Sequence, residues 1–510
     1  MTDIAARVLK VGEGSTYRQI LRSSAWVGGS SLVVMAAGLL RTKAMAVLLG
    51  SAGFGVMGLL LTLVDLSRSV AGMGINASGV RQIAQAAETG DARCIGRTVG
   101  ALRRTAWVLG GLGALALVAL AVPVSELTFG SRDYAPSVAL LSLALLLRLV
   151  SDAQGALLQG MRRIADLAKA GTLGALGGAA VSIPIVAALG ERGIAPSIVA
   201  AALAGLAATW WYSRRPKVEP VAMSLPQLSG EVAALLKLGV AFMASGLLVV
   251  ASAYVVRLIL VDRLGLQAAG LYHAAWTIAG LYIGVLLQSM AADFYPRLVG
   301  VADRHAECNR LVNEQALVGM LLATPGVLAT LVFADLAIVV LYSGDFAAAA
   351  PLLRWTCLGM ALRTLTWPLG FIIVAKGRRA LFLGSEMAWT VVSIALAWAF
   401  IAAYGLEGAG MAFFASYVFH GLMIYPIVRR LSGFRWSVAN LKAGACLLPT
   451  VGAVLMAFLW LPPAAALAIG VAATLASGLY ALHRLDELVP AVGEPHILRR
   501  VLRRVLRRRP

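Results

Sequence analysis

Charge is in short supply in this chain: 13% of its 510 residues are Asp, Glu, Lys or Arg, where soluble globular chains carry about 25%. That shortage excludes a full water-facing surface and, with it, a soluble enzyme. Cysteine is scarce as well. Cys94, Cys308, Cys357 and Cys446 stand far apart, so no metal-ligand spacing is present and free thiols are expected. The ten-residue alternation of membrane barrels is missing, which leaves helices as the one spanning solution. Behind Arg7, Lys10, Arg18 and Arg22 there is no short apolar core with a small-residue cleavage site, so no removable signal peptide is expected. No cofactor is called for.

Acidic residues are also outnumbered, 24 against 44 basic ones, for a net charge of +20. In a soluble protein that excess would point to nucleic acid. Here the basic residues gather at particular helix ends, which is a topology signal, and no nucleic-acid partner is expected.

What the chain has in abundance is apolar sequence, 60% of residues. Runs of roughly 20 residues recur along its length, each enough to cross about 30 Å of hydrocarbon. They place helices near 24–49, 54–79, 99–122, 137–160, 168–189, 194–212, 233–262, 267–291, 315–342, 350–375, 381–404, 409–428, 442–461 and 464–483. One set of loops carries Arg81, Arg93, Arg97, Arg103 and Arg104, then Arg162, Arg163, Lys169, Arg214, Arg215 and Lys217. That set continues with Arg297, Arg304, Arg310, Lys376, Arg378, Arg379, Arg429, Arg430 and Arg435. The opposite loops hold Arg132, Arg192, Arg263 and little else. The positive-inside rule then puts both termini in the cytoplasm, with an even number of spans; fourteen fits.

An internal repeat runs through these helices. Leu49-Gly50 and Gly55 match Leu264-Gly265 and Gly270, an offset of 215 residues (265 − 50). The offset also pairs Pro136 with Pro351, Leu147-Arg148 with Leu362-Arg363, Gly155 with Gly370, Arg163 with Arg378, Gly190 with Gly405, and Gly193 with Gly408. Arg148 and Arg363 weigh most, because charges within spans are rare. An offset of six helices predicts two parallel six-helix lobes related by an axis along the membrane normal. The expected organisation is an N-terminal segment at 1–22, a first lobe at 23–212, a Pro-bearing linker at 213–231 and a second lobe at 232–430. Two extra spans at 431–484 and a basic tail at 485–510 complete it.

The stretch from Ala37 through Arg41-Thr42-Lys43 and Leu49-Gly50 to Phe54-Gly55 resembles the first-span signature of polysaccharide flippases. So do Gly72-Met73-Gly74-Ile75-Asn76, the turn Phe129-Gly130-Ser131-Arg132-Asp133-Tyr134, and Tyr295-Pro296-Arg297-Leu298. This is the polysaccharide-transporter branch of the MOP superfamily, home to Wzx-type O-antigen and lipid III flippases and related to lipid II flippases and MATE exporters. The resemblance covers roughly residues 20–430. It departs in span number, since the nearest pattern has twelve and lipid II flippases have fourteen. It implies a V-shaped pair of lobes in the bacterial inner membrane. The implied cargo is an oligosaccharide on undecaprenyl pyrophosphate, moved from the cytoplasmic to the periplasmic leaflet by alternating access. Membrane lipids, a coupling proton or sodium ion and glycan polymerases are the other partners to consider.

Ionisable residues within spans carry the independent case. Each costs about 2.5–3.5 kcal/mol against lipid, so half a dozen would cost on the order of 15–20 kcal/mol; they must face one another or a wet cavity. At about 1.5 Å per residue, Arg68, Arg148 and Arg363 fall near mid-depth of spans 2, 4 and 10. Asp65 with Arg68, and Arg148 with Asp152, share helix faces, so structural ion pairs stand beside cavity lining as explanations. Arg41, Lys43 and Arg257 lie toward outer ends, where side chains also snorkel to the interface. The six basic residues Arg41, Lys43, Arg68, Arg148, Arg257 and Arg363 are the expected cavity set, suited to gripping a pyrophosphate. Asp65, Asp152 and Glu386 are the acids that would either couple protons or serve as ion-pair partners.

Weaker signals complete the reading. Tyr272, Trp276 and Trp367 are packing residues or sugar-stacking ones, and His273 and His420 are packing residues or titrating ones. The tail from His496 to Arg509 alternates paired apolar and paired basic residues, as suits a helix lying on an anionic leaflet. Together these lead to an expected flippase for lipid-linked oligosaccharide, with lipid II flippase and cation-coupled multidrug exporter as the rival classes.

Overall fold

A computed structural model describes residues 2–216 and 218–488, with side chains from residue 33 onward apart from 89, 241, 242, 245, 292, 293 and 296. The basic tail therefore lies, from residue 489, outside the described residues. No strand occurs among the described residues; helices account for nearly all of them. In order they are α1 (Thr2–Gly72), α2 (Ile75–Thr89), α3 (Ala92–Ala119), α4 (Ala121–Phe129), α5 (Ala135–Gly160), α6 (Ile164–Leu189) and α7 (Ile194–Ser213). Then come α8 (Leu225–Gly300), α9 (His305–Val332), α10 (Ala334–Leu341), α11 (Ala349–Ala375), α12 (Arg379–Tyr404), α13 (Leu406–Ser432), α14 (Val438–Trp460) and α15 (Pro463–Leu488).

Ten stretches among the described residues are long and apolar enough to cross a membrane. Two of them contain a break: Val33–Gly72 at Gly50, and Ile164–Ser213 at the 3-10 turn Gly190–Gly193. The 76-residue α8 is broken in turn at Gly265. The side chains turned outward are those a bilayer tolerates, such as Leu112, Leu115 and Val118 on α3, each at least half exposed. Several buried hydroxyls are satisfied within their own helices: Thr62, Thr105 and Ser182 donate to the carbonyls of Gly58, Ala101 and Gly178. Those three hydroxyls therefore present no unbonded donor within their spans.

The repeat reappears in the backbone. Gly50 and Gly265 break their helices in the same conformation, φ/ψ 64/−175 and 82/178. Gly190 and Gly405 match at 57/−135 and 62/−138. These left-handed φ values are open to glycine at little cost and strain other residues. Helices α6 and α12 begin and end 215 residues apart (379 − 164 and 404 − 189).

Two compact units divide the chain, Met1–Gly270 and Leu271–Pro510. In the first, α5 is the hub, packed on α2, α3 and α7, while α6 packs on α7 and α1. Gly174, Gly177 and Gly178 let α6 approach Gly205, Ala204 and Ala201 of α7 closely, the small-residue packing available where water gives no drive. In the second unit α11 is the hub, packed on α9, α12 and α13, and α14 and α15 lie against α9. Arg148 and Arg363 thus sit on the hub helix of each unit.

Three expected runs are interrupted. The run 54–79 stops at Gly72, because Met73 and Gly74 take positive φ values of 45° and 67° before α2 starts. Arg68 therefore lies one turn from a helix end, not at the middle of a continuous span. Likewise 99–122 and 315–342 are each split, at Leu120 between α3 and α4 and at Phe333 between α9 and α10.

Candidate functional site

The charges of the first unit meet crosswise. Arg68 Nη1 donates to Asp152 Oδ2 at 2.9 Å, and Arg148 Nη1 donates to Asp65 Oδ1 at 3.1 Å. Within one helix, Arg68 Nε stands 3.9 Å from Asp65; no ion pair joins Arg148 to Asp152 on α5. The shared faces expected from sequence are real, but the bonds run between α1 and α5. Two acids and two bases form a quartet whose charges cancel.

These side chains retain contact with open space, with exposures of 28–44%. Arg68 and Asp152 line a cavity of about 240 Å³ with Gly72, Asn76, Leu149 and Met243 among its other walls. Arg41 adds a fifth charge. It lies within the electrostatic field of Arg148, and no hydrogen-bond or ion-pair partner is recorded for it among the described residues. The assembly of Arg41, Asp65, Arg68, Arg148 and Asp152 carries one surplus positive charge.

The remaining predicted residues of this unit are placed differently. Arg257 is 5% exposed and donates from Nη1 to the Ala253 carbonyl at 3.0 Å, so it is enclosed by protein and does not reach an interface. Lys43 is exposed, two residues from Arg41 and therefore on a different side of α1.

In the second unit Arg363 on α11 has no carboxylate within ion-pair reach among the described residues. Its charge and that of Glu386 on α12 both act on the phenol of Tyr417 on α13. Glu386 has no ion pair recorded either. Beside them His420 packs edge-on against Trp389 and Tyr417, with ring centroids 6.1 and 5.8 Å apart. His420 Nδ1, Trp389 Nε1 and Thr390 Oγ1 are buried without hydrogen-bond partners among the described residues. Sequence reasoning missed Tyr417 and Trp389, because one aromatic among many in apolar helices carries no pattern.

Tyr272, Trp276 and Trp367, read as packing or sugar-stacking residues, each pack against other rings. Tyr272 stacks on Trp276, which meets Phe413 edge-on at 4.9 Å. Trp367 is held by Phe294 and Phe371. No group of three or more His, Cys, Asp or Glu with the arrangement of a metal site occurs among the described residues.

This fold and this chain have close counterparts. The structure resembles that of the lipid II flippase MurJ in an inward closed conformation, with TM-score 0.68 and 10% identity over 90% of this chain and 99% of that one. It also resembles an inward-facing multidrug resistance MATE family transporter of the MOP superfamily, with TM-score 0.67 and 14% identity over 78% and 96%. The lipid III flippase of Escherichia coli (strain K12) is 25% identical over 404 residues, 78% of this chain and 95% of the relative. The family model described as polysaccharide biosynthesis protein matches residues 44–351. With well over half its length matched by that model, and with the fold of the MOP superfamily transporters, the chain belongs to the polysaccharide biosynthesis protein family.

Proposed function

We propose that this protein is a flippase that carries an oligosaccharide linked to undecaprenyl pyrophosphate from the cytoplasmic to the periplasmic leaflet of the inner membrane. In this reading each arm of the three broken helices crosses separately. With the remaining spans that gives fourteen crossings and both termini in the cytoplasm. The larger share of the chain covered by the lipid II flippase structure supports counting α14 and α15 as the last two.

The observation that carries the proposal is the part-exposed quartet of Arg68, Arg148, Asp65 and Asp152, of which Arg68 and Asp152 line a cavity, with Arg41 in the field of Arg148. A pyrophosphate presents several charged oxygens, and arginine grips such groups in bidentate fashion. Before cargo arrives, Asp65 and Asp152 hold the guanidinium groups of Arg148 and Arg68, which makes burial affordable. The diphosphate displaces those carboxylates and adds Arg41, the cation with no acid of its own. Release on the far side lets the aspartates close again. Arg363 is the counterpart in the second unit, whereas the enclosed Arg257 and the exposed Lys43 stand apart from this grip. Glu386, Asp65 and Asp152 are the carboxylates through which a proton gradient would act.

The test is complementation. In cells whose own flippase is deleted, the wild-type chain restores surface glycan, and variants with Arg148→Gln or Arg363→Gln do not, while both still insert. Wild-type display from both variants rejects the assignment. Energy-dependent efflux of cationic dyes with no glycan restored would replace it with the multidrug reading, the function named for the MATE relative.

A further inference from the structure

At one end of the first unit some basic residues are paired and others are not. Arg162 bonds Glu88 at 3.3 Å, and Asp166 is shared by Arg163 and Arg215 at 2.6 and 3.3 Å. Arg103 on α3 and Arg214 at the end of α7 have no carboxylate within ion-pair reach among the described residues. Instead each lies in the field of the other. Two like charges held together, one of them half-buried, are unfavourable unless an anion lies between them.

The contacts of α5 strengthen this. Helix α5 packs on both α3 and α7, and Ser151 bonds Thr209 across the second contact at 3.0 Å. Three residues on, Gln154 is 1% exposed. Its Oε1 accepts from Arg103 Nε and Nη2 at 3.1 and 2.9 Å. Arginine only donates, so the amide orientation is settled. Gln154 Nε2 is then a buried donor, and it has no partner among the described residues. Arg103, Arg214 and Gln154 together offer donors and positive charge, with no acceptor left over. A buried donor left unmatched costs about 1–3 kcal/mol, which an accepting anion would recover.

The aromatic residues say where such an anion comes from. Trp107 follows Arg103 by one turn on α3, and Trp210 precedes Arg214 by one turn on α7, with the Arg214 guanidinium 5.4 Å from its ring centroid. In both helices the indole lies on the side of the apolar middle and the guanidinium toward the end. Trp107, Trp210 and Trp211 are exposed. Indoles at the boundary with charges one turn farther out match the headgroup level of a bilayer.

We infer that Arg103, Arg214 and Gln154 form a binding site for the phosphate of an anionic membrane phospholipid, seated between α3 and α7 with its acyl chains beside the exposed tryptophans. The site is separate from the quartet on the opposite side of α5 and does not depend on which cargo the protein carries.

The experiment uses the purified full-length chain in a neutral detergent, titrated with phosphatidylglycerol, phosphatidylcholine or inorganic phosphate. Bound lipid is counted by native mass spectrometry and thermal stability is followed in parallel. Phosphatidylglycerol is expected to bind saturably and raise the melting temperature, with phosphatidylcholine and inorganic phosphate having little effect. Arg214→Gln, a change at an exposed position that leaves the core alone, is expected to weaken phosphatidylglycerol binding about tenfold, the loss of one charge-assisted contact. Arg103→Gln should do the same, and Arg104→Gln, an exposed neighbour on another side of α3, should not. Equal losses from all three variants, or none from Arg214→Gln, would overturn the site. Equal stabilisation by inorganic phosphate would overturn its assignment to a lipid.

Discussion

Arg148 donates to Asp65 on another helix at 3.1 Å and leaves Asp152, four residues away on its own helix, to Arg68. The exchange follows from packing. With α1 and α5 in contact, an arginine that reaches across joins two elements, whereas a bond within one helix would join nothing new. A buried charge is costly without a partner, and here each acid neutralises the base of its neighbour. The two ion pairs therefore report on the contact between helices as well as on the cavity.

The pairing can be read by double-mutant cycles. Arg68→Gln with Asp152→Asn, and Arg148→Gln with Asp65→Asn, should show coupling energies on the order of 1–2 kcal/mol, between those of exposed and buried pairs. Arg148→Gln with Asp152→Asn should be close to additive. Thermal unfolding of the four single and three double variants checks this; the largest coupling falling on Arg148 and Asp152 would reject the crosswise arrangement.

Removing an acid should act differently from removing a base. Asp152→Asn frees Arg68 and adds positive charge to the site, so cargo binding is expected to hold or tighten while turnover slows, because release loses its competitor. Binding of a polyprenyl pyrophosphate to the detergent-purified chain, set beside glycan display in cells, separates the two effects. Weaker binding with unaltered turnover would contradict a displacement step.

Glu386 tests the coupling ion. It has no ion pair among the described residues, and its charge and that of Arg363 both act on Tyr417. If protons drive transport through it, Glu386→Gln should still insert and bind cargo but lose the response of transport to an imposed pH gradient. Proteoliposomes with and without the gradient provide the measurement. A response equal to that of the wild type would remove Glu386 from the cycle.

The glycine pair Gly55 and Gly270 offers a purely steric test. A Cβ on Gly55 would stand 2.1 Å from the Leu266 carbonyl oxygen, and one on Gly270 would stand 1.9 Å from that of Ser51. Backbone atoms cannot yield as a side-chain tip does, so Gly55→Ala should force the segments apart and cost about 1–3 kcal/mol. A lowered melting temperature and reduced display are expected. Alanine tolerated at both positions without change would show that the close approach is dispensable.

Much of the architecture was legible because a bilayer reads sequence simply. Apolar length, basic loops and glycine-marked breaks are local quantities, and the 215-residue repeat is visible in Gly50 and Gly265, whose backbone angles match. The kink at Met73 and Gly74 was not foreseen within span 2. Hydropathy continues through it and does not report the close approach of Gly239, whose carbonyl oxygen would stand 2.0 Å from a Cβ on Gly74.

By itself the sequence determined that this is a helical membrane protein of repeated halves with charges buried in its spans, since composition and periodicity depend on nothing beyond the neighbouring residues. Only the tertiary structure decided which acid meets which arginine, that Arg257 is enclosed while Arg41 has no ion-pair partner among the described residues, and that Arg103 bonds Gln154 within the field of Arg214. Those relationships depend on distances between helices far apart in the chain, and electrostatic interaction falls off with that distance regardless of how the residues are ordered in sequence.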